Sequence, residues 1–526
     1  MTSATDTAVL GEGTANPLRI SRLVTGLWQL AGGHGAADVR ACAAAIGAYV
    51  DAGLGTFDMA DFYGPAEDVV GAYNATAAAP VTPLTKWCPL PGVVGAAAAK
   101  EAVDAACARL HVDCVPLLQL HVWRYDDLNY LCVAWRCDGA DGSENIHHLA
   151  ALQRAGRIQH LGLTNVDVAH LRLILGSGYT IASNQVCMSV LDRRAETGGM
   201  SAFCAERGVG LLAYGTLLGG FISEKWLGEP EPVLRDGENA SLSKYKRFID
   251  VAGGWAVFQG LLAALKAVAD KHGVPLASVA IRYVLDVPAV AGVIVGSRLV
   301  GDAAAHIGAN KRVLALVLDE ADRATIAAAQ AALHPIPGDC GDENRYPPYL
   351  SPLGTARDFV DEAALAAVER TVAAGGRVER GSGSAWEPVA GYCRAVRVGD
   401  RITVSGTTTR KGFSGAGVIG GRDAEAQATY VFDIIAGAVR ALGGAVQDIT
   451  RTRVLLADVG DWAAVGRAQA REVGRWGVRP ANTMVGGLTF VVGPDALVEI
   501  EAEAVVGSGR GPRLRLGPGG IVREGE

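Results

Sequence analysis

The chain has no Cys-x-x-Cys pair and no cysteine–histidine set at zinc spacing, which excludes the common structural zinc modules. Its ten cysteines are scattered, at 42, 88, 107, 114, 132, 137, 187, 204, 340 and 393. Most lie inside apolar stretches, where a free thiol packs as a small hydrophobe. Unpaired thiols fit a reducing compartment, so a cytoplasmic location is expected. Basic blocks and basic–aromatic interleaving are also missing, and the net charge is −7; nucleic acid is therefore not an expected partner. No apolar run reaches the ~18 residues that a membrane span needs. The opening stretch has no basic segment followed by an apolar one, so neither a membrane partner nor a secretory leader is expected. No Gly-x-Gly-x-x-Gly follows the first predicted strand, which weakens an open dinucleotide-binding sheet.

What is present is a long, globular, multidomain composition: 526 residues, 50% hydrophobic and 20% charged. Short apolar strands alternate with longer helical patterns. Strands are predicted at 24–28, 56–59, 82–86, 115–121, 160–165, 181–189, 210–214 and 291–296. The main helices between the early ones fall at 37–50, 65–73, 95–110 and 146–155. Gly53 suits the stop after the first helix, and Pro65 the start of the second. Eight such repeats predict a parallel sheet and favour closure into a (β/α)₈ TIM barrel, with an open doubly wound sheet as the alternative. Two stretches interrupt the pattern. One is a polar, glycine-bearing insertion at 125–145. The other is a long crossover at 223–254 that carries Lys244-Tyr245-Lys246-Arg247, either a solvated face or a clamp over an anionic cofactor.

In a barrel of this kind the working face lies at the C-terminal ends of the strands. That rule places Asp58, Tyr63, Lys86, His121, Asn165, Gln185 and Tyr214 on one rim. A tyrosine beside an ammonium is expected to have its pKa lowered, with the carboxylate holding the lysine in place. The result is a phenol able to give or take a proton. A neighbouring histidine can donate a hydrogen bond to a carbonyl oxygen. Such a set suits hydride transfer between a bound cofactor and a carbonyl.

Residues 19–330 resemble the aldo-keto reductase superfamily. The resemblance rests on Phe57-Asp58-x4-Tyr63-Gly64, Leu84-Thr85-Lys86, Leu117-Leu118-Gln119-Leu120-His121, Gly162-Leu163-Thr164-Asn165, Asn184-Gln185, Leu212-Ala213-Tyr214-Gly215 and Val295-Gly296-Ser297-Arg298. It implies Tyr63 as general acid, Lys86 and Asp58 as its tuners, and His121 as the carbonyl-orienting donor. It implies that Asn165 and Gln185 hold the nicotinamide amide and that Tyr214 stacks on the ring. Gly215 and Leu217 would line the pyrophosphate. Gly296, Ser297 and Arg298 would bind the adenosine phosphate. Arg298 favours NADP(H), with NAD(H) as the alternative. The chain departs from the family at Tyr214-Gly215-Thr216-Leu217-Leu218, where Tyr-Ser-Pro-Leu-Gly is frequent, and at Ala305-His306, where Glu-Asn is frequent.

A different pattern begins after the barrel. Residues 336–376 read as a linker with one helix at 360–374, and 377–508 read as an α+β domain with helices at 424–442 and 461–473. This part resembles the Rid (YjgF-like, enamine/imine deaminase-like) family through Gly391-Tyr392-x-Arg394, Val398-Gly399-Asp400-x4-Ser405-Gly406, Gln427, Arg479-Pro480-Ala481 and Val498-Glu499-Ile500-Glu501-Ala502. The resemblance implies a chorismate-mutase-like fold, a homotrimer, and a pocket with Tyr392, Ser405, Glu499 and the residue after Pro-Ala. That residue is an arginine in deaminating members and Asn482 here. The domain plan is thus 1–18 flexible, 19–335 barrel, 336–376 linker, 377–508 Rid-like, and 509–526 flexible tail. The expected function is reduction of an aldehyde or ketone, or oxidation of the corresponding alcohol, with the last domain trimerising or binding a small molecule. The alternatives are a non-catalytic cofactor-binding assembly protein and a coupled imine hydrolase–carbonyl reductase.

Overall fold

A hairpin precedes the barrel: β1 (Thr7–Leu10) pairs antiparallel with β2 (Leu18–Ser21). Over residues 7–18 this differs from the expected flexible extension; residues 1–6 lie outside the described residues. Leu10, Leu18 and Ile20 are buried and join barrel-interior residues such as Leu84, Leu117 and Leu212 in one apolar cluster. The computed structural model describes residues 7–32, 38–90, 95–128, 130–131, 145–234, 239–299, 303–346, 361–384, 386–409, 417–512, 514, 516–517 and 520–521. Most of the 125–145 insertion, the linker from 347 to 360 and much of the tail after 512 lie outside the described residues.

Eight parallel strands then close: β3 (Leu23–Gly26), β4 (Thr56–Asp58), β5 (Thr82–Trp87), β6 (Val115–His121), β7 (Ile158–Thr164), β8 (Ser183–Cys187), β9 (Gly210–Tyr214) and β10 (Val290–Gly296). β10 pairs with both β9 and β3, which completes the barrel. The strands are short and almost wholly buried, as parallel strands covered on both faces must be. Local chemistry sets the helix boundaries. Asp38 accepts from the Ala41 backbone N–H at 2.9 Å and caps the helix Val39–Asp51. Gly53, at φ +83°, turns the chain out of that helix. The long crossover after β9 is largely helical: Ala240–Val251 meets Trp255–His272 at a bend of 99°. No single described helix is long and apolar enough to cross a membrane.

The C-terminal sheet consists of β11 (Arg377–Arg380), β12 (Ala395–Val398), β13 (Arg401–Thr408), β14 (Ile449–Leu456), β15 (Ala481–Val485) and β16 (Val498–Val505), in the order β11-β12-β13-β16-β14-β15. Helices Ala424–Ala441 and Trp462–Glu472 accompany it. Alternation along β16 buries Val498, Ile500, Ala502 and Ala504. It leaves Glu499, Glu501 and Glu503 together on the other face.

The two domains are packed together. Helix Ala424–Ala441 is apolar on more than one side. Val431, Ile435 and Val439 belong to the C-terminal domain's own core. Ala426, Tyr430 and Ile434, with Ile419 ahead of the helix, join the barrel's main apolar cluster instead. Across the junction, Gly420 N–H donates to Ser177 Oγ at 3.0 Å, and Arg172 pairs with Asp423 at 3.3 Å. Arg440 also pairs with Asp126.

Candidate active site

Barrel register brings the rim residues together. Asp58 ends β4, Lys86 lies next to the end of β5, His121 ends β6, Asn165 follows β7, and Tyr214 ends β9. Gln185 sits opposite Thr164 in the β7–β8 pairing. They surround a cavity of about 340 Å³ that is lined also by Tyr63, Trp28, Phe62, Trp123 and Gly215.

The centre of the site is a buried ion pair. Lys86 Nζ donates to Asp58 Oδ1 and Oδ2 at 2.8 and 2.7 Å, and to the Met59 carbonyl at 2.7 Å. Lys86 is only 2% exposed. Its Nζ lies 4.9 Å from the centre of the Tyr63 ring. Contrary to the sequence-based expectation, the Tyr63 phenol is not pulled down. Burial, with the Asp58 carboxylate adding to it, holds its pKa well above 10. The reason is local. The two carboxylate oxygens embrace the ammonium and offset part of its charge, so its attraction for a phenolate does not outweigh burial. The phenol is therefore held in its protonated form.

His121 is buried, and burial, followed by the nearby Arg345 and Lys86 cations, depresses its pKa well below the usual value. The ring is neutral. Asn165 Nδ2 donates to His121 Nε2 at 3.1 Å, which puts the imidazole proton on Nδ1, a buried atom with no partner in the structure. Aromatic side chains fix the surroundings. Trp28 and Phe62 meet the Tyr63 ring edge-on at 5.0 and 4.9 Å, and Trp123 lies 4.1 Å from the His121 ring.

The expected amide binders are already engaged. Gln185 Nε2 donates to Asp58 Oδ1 at 2.7 Å and to Gln119 Oε1 at 3.0 Å. The Tyr214 hydroxyl lies 2.7 Å from Asn165 Oδ1 and 2.9 Å from Glu343 Oε1, and shares one proton between them. A nicotinamide amide would therefore have to exchange partners with these groups. Asn165 adopts φ +59°, a left-handed conformation that asparagine tolerates better than most residues.

The other predicted cofactor residues lie along the same rim. Gly215, Leu217 and Gly296 line the main cavity; Gly296, Ser297 and Arg298 line an adjoining one of about 290 Å³. Both cavities touch Gln29, Gly219 and Ser241, so they form one elongated groove. Gly215, at φ +72°, has no room for a side chain, because a Cβ would lie 2.6 Å from the Tyr245 hydroxyl. The Ser297 hydroxyl is held by Tyr49 at 3.0 Å, and Arg298 is exposed. Lys244, from the basic run in the crossover, stands 5.2 Å from the Tyr214 ring centre and lines the main cavity. Buried polar atoms without partners cluster here: Gln29 Oε1, His121 Nδ1, Trp123 Nε1, Thr164 Oγ1 and Asn344 Nδ2 all belong to cavity residues. Buried polar groups are usually paired, so this concentration marks a place built for a ligand. The groove is edged by Gly215 and Gly296 and carries Lys244 and Arg298 along it.

Residues 22–331 match the model of the aldo/keto reductase family. The chain belongs to that family. Its C-terminal domain belongs to the YjgF/L-PSP (Rid) family, through a match to the Endoribonuclease L-PSP model over residues 382–506. The glycerol dehydrogenase of Gluconobacter oxydans shares the barrel fold, with a TM-score of 0.51 and 20% identity, over 64% of this chain and 98% of that one. Flagellar radial spoke protein 5 of Chlamydomonas reinhardtii is 37% identical over 132 residues, 25% of each protein. The chain thus spans only a quarter of that relative's length. An uncharacterized protein of Streptomyces coelicolor is 37% identical over 127 residues, which are 24% of this chain and 90% of that protein.

The site of this aldo/keto reductase family member also contains residues that the sequence reading missed. Gln119 is fully buried and donates to Asp58 Oδ1 at 3.3 Å. It lies two residues before His121 on one strand, so strand alternation alone could have found it. Glu343 and Asn344 lie beyond the barrel pattern and carried no periodic signal.

The Rid-like residues are not gathered in the same way. Glu499 lies against Gly406, the residue after Ser405, where a Cβ would come 2.0 Å from Glu499 Oε1. Ser405 Oγ donates to the Cys393 carbonyl at 2.8 Å, and Tyr392 is 37% exposed. Asn482 is on β15, separated from β13 by β16 and β14, and donates to Thr452 Oγ1 at 3.0 Å. Within one chain the four residues do not form a single pocket. The physical reason is strand order: two intervening strands set Asn482 on β15 roughly 14 Å from Ser405 on β13, at ~4.8 Å per strand.

Proposed function

We propose that the barrel catalyses NADP(H)-dependent reduction of an aldehyde or ketone to an alcohol, and the reverse oxidation. The observation that carries this reading is the Asp58–Lys86 pair beneath Tyr63, with neutral His121 on the same cavity. A bound nicotinamide would supply or accept the hydride. Tyr63, kept protonated, gives its proton to the developing alkoxide oxygen. Lys86, fixed by Asp58 and the Met59 carbonyl, then stabilises the phenolate that remains. His121 offers a ring N–H that orients the carbonyl oxygen. Asn165 and Gln185 hold the amide, Tyr214 supports the ring, and Gly215, Leu217, Gly296, Ser297 and Arg298 line the path of the rest of the cofactor. Arg298 is the residue that favours the 2′-phosphate, and hence NADP(H) over NAD(H).

Absorbance at the NADPH band, with the full-length protein and a panel of aldehydes and ketones, tests the reading. Carbonyl-dependent NADPH oxidation is expected. Tight NADPH binding without oxidation by any carbonyl would favour a non-catalytic cofactor-binding role. For the C-terminal domain we propose trimerisation or small-molecule binding in the cytoplasm. A threefold mass by light scattering is the expected result, and a monomer would reject it. Ammonia release from a generated imine would instead support a coupled imine hydrolase–reductase, against which Asn482 stands.

A further inference from the structure

After the last barrel helix, Glu320–Gln330, the chain crosses the mouth of the barrel before it enters the C-terminal domain. The crossing contains a tight turn, Asp342–Asn344, whose three side chains are buried. Gly341, at φ +86°, passes so near the Asn165 carbonyl that a Cβ would lie 2.1 Å from it. Besides facing Tyr214, the Glu343 carboxylate pairs with Arg194 at 2.9 Å. Arg345 donates to the Val122 carbonyl at 2.5 Å and lies over the Tyr125 ring at 4.2 Å. The C-terminal domain holds the outer side of this strap. Arg475 pairs with Asp342 at 3.2 Å and stands 4.7 Å from the centre of the Tyr346 ring; Trp476 meets the same ring edge-on at 5.2 Å.

Asn344 is the strap residue that lines the cavity. It is 4% exposed, and its Nδ2 has no hydrogen-bond partner. Trp123 lines the same cavity and its Nε1 is also unpartnered. An indole N–H can only donate, and a carboxamide nitrogen likewise. Trp28, Phe62 and Trp123 give the same cavity aromatic walls, and the Lys86 charge is already matched by Asp58. The cavity therefore offers flat apolar walls and, at Asn344, a neutral donor that lacks an acceptor.

We propose that Asn344 binds substrate through its carboxamide nitrogen, from a strap that the C-terminal domain holds across the barrel, and that the substrate is a carbonyl compound with an apolar or aromatic body and a second acceptor oxygen. The substrate part rests on the reductase reading above. It also gives the C-terminal domain a part in the reductase site: Arg475 is a positioning residue, acting through Asp342.

The test compares 1-phenyl-1,2-propanedione with propiophenone, which share the aryl body and differ in the second oxygen. Full-length wild type, Asn344→Ala, Asn344→Ser and Arg475→Gln are used. KM and kcat are read with NADPH, and ligand affinity in the NADP⁺ complex is read by tryptophan fluorescence, with NADPH affinity measured separately. Asn344→Ala should weaken dione KM and affinity about tenfold and leave propiophenone within about twofold. Asn344→Ser, which keeps a donor, should recover most of the loss. Arg475→Gln should shift the dione in the same direction by about threefold, with NADPH affinity retained. Equal effects on both ketones, or an effect on NADPH affinity alone, would overturn the assignment of Asn344. Binding of neither ketone would overturn the substrate class. If wild type binds the dione but oxidises no NADPH, the reductase reading fails, and the affinity ratio still decides Asn344.

Discussion

Two of the buried charge clusters in the described residues differ in what surrounds them. One is Asp58–Lys86 at the barrel rim. The other is Asp167–His170–Asp433, between the barrel and the C-terminal domain. His170 Nδ1 lies 2.8 Å from Asp167 Oδ1, and its Nε2 lies 3.3 Å from Asp433 Oδ2. The Tyr130 hydroxyl donates to Asp433 at 2.6 Å, and the Tyr125 ring is stacked on His170 at 3.3 Å. His170 and Asp167 are both inaccessible to solvent. Burial alone would push the imidazole towards neutrality, but Asp167 and Asp433 outweigh it and raise its pKa to about 10. Burial also opposes ionisation of Asp167, yet His170 holds that carboxyl well below its usual range. Strongly perturbed groups therefore mark the domain joint as much as the candidate active site. What separates the two is the neighbourhood. Lys86 lines the same cavity as Tyr63 and His121, whereas His170 is itself inaccessible and paired on both nitrogens, and only its partners Asp433 and Tyr125 reach a separate cavity of about 180 Å³ at the domain joint. Perturbed titration points more strongly to function where the perturbed groups themselves open on one shared cavity, as Tyr63 and His121 do.

The comparison can be broken most directly at Tyr63. Tyr63→Phe should lower turnover by roughly 10²–10⁴-fold, the usual worth of a positioned proton donor, with NADPH affinity unchanged. Unaltered turnover would remove the rim cluster from the chemistry. His170→Ala should act the other way. It leaves Asp167 and Asp433 buried without their cation, at a cost of about 3–5 kcal/mol in urea unfolding followed by tryptophan emission. Turnover of the folded fraction should be unaffected. A loss of turnover without a loss of stability would instead make the seam functional.

pH separates the clusters next. Because the His170 pKa is raised from 6.5 to about 10 on folding, its stabilisation is complete below pH 6.5 and is lost as pH rises towards 10. Asp167, depressed on folding, stabilises above its unfolded pKa near 3.8, and that contribution is lost at lower pH. Asp433 is raised by burial, despite His170, and works in the opposite sense to Asp167. Unfolding free energy measured between pH 6.5 and 10 should therefore decline. The reduction rate should show no histidine limb near pH 6.5, because His121 titrates well below that value. The smallest expected effect is at the Rid-like sheet: Glu499→Gln should leave reductase turnover unchanged. A drop in turnover would tie that face to the barrel chemistry.

Much of the barrel was legible from local pattern. The predicted limits of β6 and β9 agree with the structure to the residue, and the other barrel strands agree within a few residues. The rim residues followed because a polar side chain at the end of an apolar strand has a definite place in a closed parallel sheet. The seam was less legible, although helix Ala424–Ala441 carried a sign of it. A helix apolar on more than one side must be covered on more than one side. The strap at 339–346 carried no sign at all, because irregular chain has no period from which its contacts could be read.

By itself, then, the sequence determined the order of the strands, the identity of the residues at their ends, and the two family patterns. These depend on alternation and spacing within short stretches. The tertiary structure decided which of those groups pair. It buried Tyr63 beside the Asp58 carboxylate so that the phenol stays protonated, placed Glu343 against Tyr214, and closed the barrel against the second domain. Each of these joins residues dozens to hundreds of positions apart, and the balance of burial against charge at such contacts exists only once the chain has folded.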